Sequence, residues 1–274
     1  MLSVIIPTLN EEAALARTLA QFERLPGAWE VIVADSGSGD RTVEIARERG
    51  AMVVENAPAG RGAAMNAGAA RATGEILIFL HADTLLPDTS YGLITDALSD
   101  PGVAGTAFRL RMDNRDWRYR MLTAVATLRF RIQNTFFGDQ AIAVRRRNFE
   151  RIGGYREPLL MEDVDLSRRL RRTGTLKLLP AHVTTSVRRF EQGGVLRQLL
   201  QMSLLQAAYA AGVPAERLLR WYRDARSDTE SDWQSPERID LDQLALLDDG
   251  DCPFDPDMSE QHGPILLVFL RWLG

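Results

Sequence analysis

The chain has 274 residues, 45% of them hydrophobic, enough to bury the core of one large domain and too apolar for a disordered or fibrous protein. Its one cysteine, Cys252, excludes an intramolecular disulfide, and the longest apolar run, "ILLVFL" from Ile265, falls far short of the roughly 20 residues that span a bilayer. The net charge of −4 hides an asymmetry: Met1 to Arg226 carries 31 basic and 25 acidic residues, whereas Ser227 to His262 holds 12 acids against Arg238 alone.

A basic body suits an anionic ligand such as a nucleotide phosphate, or an anionic membrane surface, and the acidic tail argues against nucleic acid. The basic residues are almost all Arg, with Lys177 the sole lysine. Arg contacts phosphate in a planar, bidentate way, although genomic base composition produces the same bias. No basic region precedes the apolar "VII" that Pro7 interrupts, so no signal peptide is expected, and a reducing cytoplasmic setting fits the cysteine usage.

In chain order, "LSVIIPT" reads as a first strand, and Asn10 is placed to cap a helix from about Glu11 to Leu25. "EVIVADS" reads as a second strand, followed by the turn "GSGD" and a helix through Arg49. "AMVVEN" reads as a third strand, and "APAGRGAAMNAGAARATG" as a loop and a helix ending near Gly74. "EILIFLHAD" is a fourth strand. Alternation of this kind predicts an α/β fold, a mostly parallel sheet flanked by helices. After Asp100, "VAGTAFRLRM" and "DQAIAVRR" read as strands with the helix-like "WRYRMLTAVATLRFRIQ" between them. "MEDVDLSRRLRRTG" has acids first and arginines last, so it predicts a helix starting at Glu162 with Gly174 as C-cap. Two C-terminal helices are expected near Val195 to Ala211 and Pro214 to Arg226, and a domain boundary at Ser227, where the composition turns acidic.

"ILIFLHADT" ends a strand-like run on His81 and Asp83; taken alone it is equally an ordinary strand and turn. Taken together, the strand ends point further than any one of them. Thr8, Asn10 and Glu11, then Asp35, then His81 and Asp83 each follow an apolar strand, and in a parallel sheet these ends share one edge, where open α/β sheets bind ligands. Glu162 and Asp163 stand at a helix start. Several acids at one edge of a basic domain point to a divalent cation with a phosphorylated ligand, while each lone acid is more often a cap or a turn residue.

"SVIIPTLNEE", "VIVADSGSGDRT", "GRGAAMNAGAARATGEILIFLHADT" and "RIGGYREPLLMEDVDLSRRL" occur in an order and spacing that resemble family 2 glycosyltransferases of GT-A (Rossmann-like) fold, over about residues 1–226. "FFGDQAIAVRR", "TTSVRRFEQGGVLR" and "AYAAGVPAERLLRWY" resemble more narrowly the short bacterial proteins described as radical-SAM/selenodomain-associated transferase 2, linked to arsenosugar biosynthesis. Lipid and carotenoid glucosyltransferases resemble it next.

The resemblance implies transfer of a sugar, with inversion, from a UDP- or GDP-sugar to an acceptor hydroxyl not specified by the sequence. Pro7, Thr8, Asn10 and Glu11 match the first nucleotide-contacting motif, Asp35 the acid that recognises the base, and Arg61, Gly62 and Asn66 a segment that approaches the diphosphate and sugar. "HAD" stands where the family has Asp-x-Asp, so His81 departs from the pattern and faces the donor, leaving Asp83 to hold Mg²⁺ or Mn²⁺. Asp163 matches the general base, with Glu162 beside it in the donor site. Arg188 and Arg189 are candidates to stabilise the departing diphosphate. A noncatalytic sugar-nucleotide-binding protein is the alternative that the missing first acid leaves open.

His182 and His262 lack metal-ligand spacing, so no zinc site is expected. "VLRQLLQMSLLQAAYAA" suits core packing or a homo-oligomer surface, and "WRYRMLTAVATLRFR", with arginines at both ends of an apolar middle, is a minority candidate for peripheral membrane contact. The terminal "GPILLVFLRWLG" resembles the first strand of a nucleotidyltransferase-like partner domain, or equally an ordinary helix. Removing Ser227 to Gly274 is expected to leave folding and donor binding intact.

Overall fold

The computed structural model describes residues 1–114, 116–156, 161–187, 204–205, 208–209, 213 and 217–218. Arg188, Arg189, residues 227–274 and most of the two expected C-terminal helices lie outside these; within the helices, Leu204, Leu205, Ala208, Tyr209, Arg217 and Leu218 are helical.

Four strands form the parallel half of the sheet: β1 (Leu2–Thr8), β2 (Trp29–Asp35), β3 (Met52–Val54) and β4 (Ile76–Phe79). Between them run α1 (Glu12–Ala20), α2 (Thr42–Glu48) and α3 (Arg61–Arg71). The sheet then continues through β5 (Thr84–Leu85), β6 (Val103–Met112), β7 (Ile142–Arg145) and β8 (Thr175–Thr185), in the spatial order β3-β2-β1-β4-β7-β6-β8-β5. β7 is antiparallel to both β4 and β6, β8 is parallel to β6, and β5 is antiparallel to β8. The sheet is therefore mixed, with its parallel half where the strand–helix alternation predicts it.

The apolar runs that mark β1, β2 and β4 lie in the sheet's interior. Ile5, Ile6, Ile32, Val33, Leu77 and Ile78 are all buried, and helices cover both faces, as near-continuous hydrophobic strands require. Along the described residues up to 187 the helices α4 (Ser90–Ser99), α5 (Trp117–Gln133), α6 (Arg146–Arg151) and α7 (Glu162–Arg171) follow.

Two helix ends differ from expectation. Asn10 does not cap α1: it takes a left-handed backbone, φ +55°, and Glu11 occupies the cap position, because Asn10 is drawn into bonds with the loop after β2. The helix closes at Ala20 and tightens into a 3₁₀ turn, Gln21–Glu23. Gly174 is not the C-cap of α7, which is Arg172; a Cβ on Gly174 would come within 2.5 Å of the Gly102 carbonyl, so glycine is needed there for close approach of two loops.

Arg145, at the end of β7, is buried. Its guanidinium donates to the carbonyls of Leu98, Asp100 and Val103, closing the C-terminus of α4 where the helix dipole favours a cation. Desolvation, and then neighbouring Arg147, pull its pKa below the ordinary arginine value. Arg145→Met would leave those carbonyls unpartnered in a buried place and is expected to cost about 2–4 kcal/mol of stability in urea unfolding of the full chain. A loss below about 0.5 kcal/mol would show that water replaces the guanidinium.

Candidate functional site

Because β1, β2 and β4 are parallel, their carboxyl ends open on one edge. There the loops after β1 and β2 are laced together. Thr8 and Asp35 are direct partners across the register, and the Thr8 hydroxyl donates to Asp35 Oδ2 at 2.9 Å. Asp35 Oδ1 accepts the N–H groups of Gly37 and Ser38, and the Ser38 hydroxyl donates to Oδ2. The Asn10 N–H donates to the Ser38 hydroxyl at 2.8 Å, and its Oδ1 accepts from Gly39 N–H at 2.9 Å. The Glu11 N–H donates to Thr42 Oγ1. Pro7 lies half-buried one residue before the end of β1. Asp35 is thus the organising acceptor of a rigid turn, with its lone pairs occupied by protein donors.

A second set forms where α3 meets α7. Arg61, at the start of α3, donates to Glu162 Oε1 at 3.3 Å, and Glu162 is buried. At Gly62 the helix passes so close that a Cβ would sit 3.2 Å from the Cβ of Tyr155 and 3.5 Å from that of Glu162. The Asn66 amide is committed to backbone: Nδ2 donates to the Tyr155 carbonyl at 2.7 Å, and Oδ1 accepts from Tyr155 N–H at 2.9 Å. Both of its polar atoms hold the chain leading to α7.

Asp163 stands in the first turn of α7, preceded by Met161 in a left-handed conformation, φ +72°. Its Oδ2 accepts from Gly138 N–H at 2.7 Å and its Oδ1 from Val164 N–H at 2.8 Å. Although part of the residue meets solvent, its carboxyl group is packed among protein atoms. Burial, and then the negative charge of Glu162, raise its pKa to about 7 against the opposing effect of the two N–H donors and Arg61. A Cβ on Gly138 would lie 3.0 Å from His81 Nε2 and 3.6 Å from Asp163 Oδ2, so His81 and Asp163 flank one glycine. Met161 and Val164 pack with Leu205 and Leu218, which steadies the start of α7.

Asp83 stands apart from these sets. Its Oδ1 accepts the Thr84 and Thr185 hydroxyls, both at 3.3 Å. It borders a cavity of about 110 Å³ lined by α1 residues, including Arg17, with Leu85 and Ser186. That volume holds an ion and a few waters and falls well below the roughly 300–1,000 Å³ of a ligand pocket. Among the described residues no three His, Cys, Asp or Glu gather as a metal cage. One carboxylate beside a small polar cavity fits Mg²⁺ or Mn²⁺ in the role of a substrate's counter-ion, since such cations are commonly held by one or two carboxylates plus phosphate oxygens and water.

Residue types and spacing did not assign Gly138, Tyr155 or Ser38. "FFGDQ" was visible as a motif, but a backbone N–H donor has no side-chain signature. Asp165, a further acid in the first turn of α7, accepts from Arg169 Nε at 2.7 Å, and Arg169 also donates to the Ile152 carbonyl, so the pair ties α7 to the loop after α6.

Residues 3–153 match the model of "Glycosyl transferase family 2". The chain is 33% identical over 99 residues to a dolichyl-phosphate hexose transferase of Haloferax volcanii, covering 36% of this chain and 43% of the relative. It is 35% identical over 126 residues to an undecaprenyl-phosphate 4-deoxy-4-formamido-L-arabinose transferase of Aeromonas hydrophila, covering 42% and 39%. A 4,4'-diaponeurosporenoate glycosyltransferase of Staphylococcus haemolyticus is 41% identical over 92 residues, covering 31% and 24%. The chain thus spans less than half the length of each of these relatives. Among solved structures, a mannosyltransferase of Pyrobaculum calidifontis in complex with GDP-Man and Mn²⁺ superposes with a TM-score of 0.57 at 21% identity, over 82% of this chain and 79% of that one. Glucosyl-3-phosphoglycerate synthase of Mycobacterium tuberculosis, with Mn²⁺, UDP-glucose and phosphoglyceric acid, gives 0.54 at 22% identity, over 78% and 80%. The fold is GT-A, and the chain belongs to glycosyl transferase family 2.

Proposed function

We propose that the chain transfers a sugar from a UDP- or GDP-sugar to an acceptor hydroxyl in one inverting displacement, with Mg²⁺ or Mn²⁺ accompanying the donor. The observation that carries this reading is Asp163, a carboxylate fixed by two backbone donors and tuned to about 7. A general base works best when its pKa lies near the working pH. Each carboxylate oxygen of Asp163 accepts one N–H and keeps a lone pair that can receive the acceptor's proton. The laced turn around Asp35 gives the nucleotide a rigid seat, and Arg61, held by Glu162 at the start of α3, offers a cation toward the diphosphate. Asp83 would hold the cation, which supplies positive charge against the leaving diphosphate.

The relatives named for dolichyl-phosphate, undecaprenyl-phosphate and diaponeurosporenoate substrates favour a lipid acceptor. The motifs that resemble the arsenosugar-associated group favour a role in arsenosugar biosynthesis instead. A noncatalytic nucleotide-sugar-binding protein is the rival, motivated by His81 in place of an acid. Measuring hydrolysis of UDP-glucose and GDP-mannose by the full chain with Mn²⁺ separates these classes: slow release of nucleoside diphosphate is expected, and binding without any release would favour the rival.

A further inference from the structure

The outer face of α5 carries a continuous apolar stripe. Trp117 is 68% exposed, Met121 50%, Val125 41%, Leu128 53% and Ile132 57%. At roughly 100° per residue these five positions fall within an arc of about 80°. Arg118, paired with Asp116 at 2.7 Å, lies just beyond one edge of that arc, and Arg120 and Arg131 just beyond the other; all three are exposed. The opposite face is where Tyr119 and Leu122 are buried and Phe130 stacks on Phe136. Between Trp117 and Gln133 the helix has four arginines and no Asp or Glu. The fold therefore covers one apolar face of α5 and leaves a second in water, against the usual rule that soluble helices show one.

We infer that this stripe docks on an anionic lipid bilayer. The width and straightness of the stripe suit a planar surface: the helix is about 25 Å long and would lie in the interface with its apolar residues below the headgroups. Arg120 and Arg131 along one side suit anionic headgroups and can bury their stems while keeping charge in water. A second copy of the chain on the same face would set arginines against arginines, which selects an anionic partner over self-pairing. Among the described residues no helix is long and apolar enough to cross a membrane.

Docking here bears on the acceptor. From Gln133 the chain runs through Asn134, in a left-handed turn at φ +47°, to Gly138, whose N–H holds Asp163. The lipid-facing helix and the base's own donor thus belong to one continuous segment, and the acceptor is a membrane lipid's hydroxyl. The acceptor assignment rests on the transferase reading; the docking does not.

The test is sedimentation of the full chain with vesicles of phosphatidylcholine alone and of phosphatidylcholine with phosphatidylglycerol, without donor or metal. Binding to the anionic vesicles is expected, weakening with salt, and the double variant Trp117→Ser/Leu128→Ser should bind them at least about tenfold less. Circular dichroism and donor hydrolysis should match the parent, since neither residue is in the site. A parent chain that stays in the supernatant, a variant that binds like the parent, or a stripe-dependent dimer indifferent to vesicles would overturn the inference. Donor hydrolysis that fails while vesicle binding succeeds would reject the transferase reading alone.

Discussion

Asp163→Asn is expected to bind donor as the parent does and to transfer sugar about 10²–10⁴ times more slowly. The amide keeps the size of the side chain and can accept one of the two N–H groups from Gly138 and Val164, so the fold should lose only about 1 kcal/mol. It cannot take a proton. Asp165→Asn, two residues on, should instead act on stability, because its partners are Arg169 and Arg156 rather than the open edge, and its turnover should stay within about tenfold of the parent. Stability carries a second signature. Folding raises the Asp163 pKa to about 7, so its contribution is complete below the ordinary carboxyl value near 4 and is lost as the pH rises toward 7. Asp163→Asn removes that slope, and its stability should gain on the parent's between those limits. Equal turnover by Asp163→Asn and the parent would refute the base assignment.

Asp83→Ala is expected to abolish the cation-dependent part of donor binding. With the parent chain, UDP-glucose or GDP-mannose should raise the melting temperature in Mn²⁺ or Mg²⁺ and much less in chelator; ligand at about 100 times its Kd stabilises by roughly 2.7 kcal/mol. Asp83 is the carboxylate at the small cavity beside α1, and its present partners are two hydroxyls at 3.3 Å, long enough to yield to a cation. Because no larger ligand cluster is found among the described residues, the metal alone should stabilise the parent little. Equal donor stabilisation in Mn²⁺ and in chelator would remove the cation from the account.

The parallel half of the sheet was legible because its strands are unbroken apolar runs ended by Pro, Gly, Asn or Asp, and period and punctuation together leave few alternatives. β8 was not read: Lys177, Pro180 and His182 interrupt its pattern, and it forms because β6 offers a long parallel partner. α4 was missed for a related reason, a ten-residue helix with Gly92 inside it, fixed at its end by Arg145 from a distant strand. At the site, the polar residues at strand ends were visible as types, and parallel pairing does bring Thr8 and Asp35 together. Their use was not visible. An asparagine amide reads alike whether it meets a sugar or, as Asn66 does, a neighbouring backbone. The Arg61–Glu162 pair joins residues 101 apart, which no local spacing reveals. In α5 both faces are apolar, so periodicity showed a helix and not which side the fold would leave uncovered.

In the proposed mechanism Asp163, raised by burial and by Glu162, is the base of a sugar-transfer site at the open edge of the sheet. The most direct test is the rate of nucleoside diphosphate release from the preferred donor with Mn²⁺, followed from pH 5 to pH 9 for the parent and for Asp163→Asn. The parent rate should rise with pH and be half-maximal near 7, the value expected for Asp163 itself, and the variant rate should be low and without that step. A parent rate that is flat across this range, or a step that persists in Asp163→Asn, would contradict it.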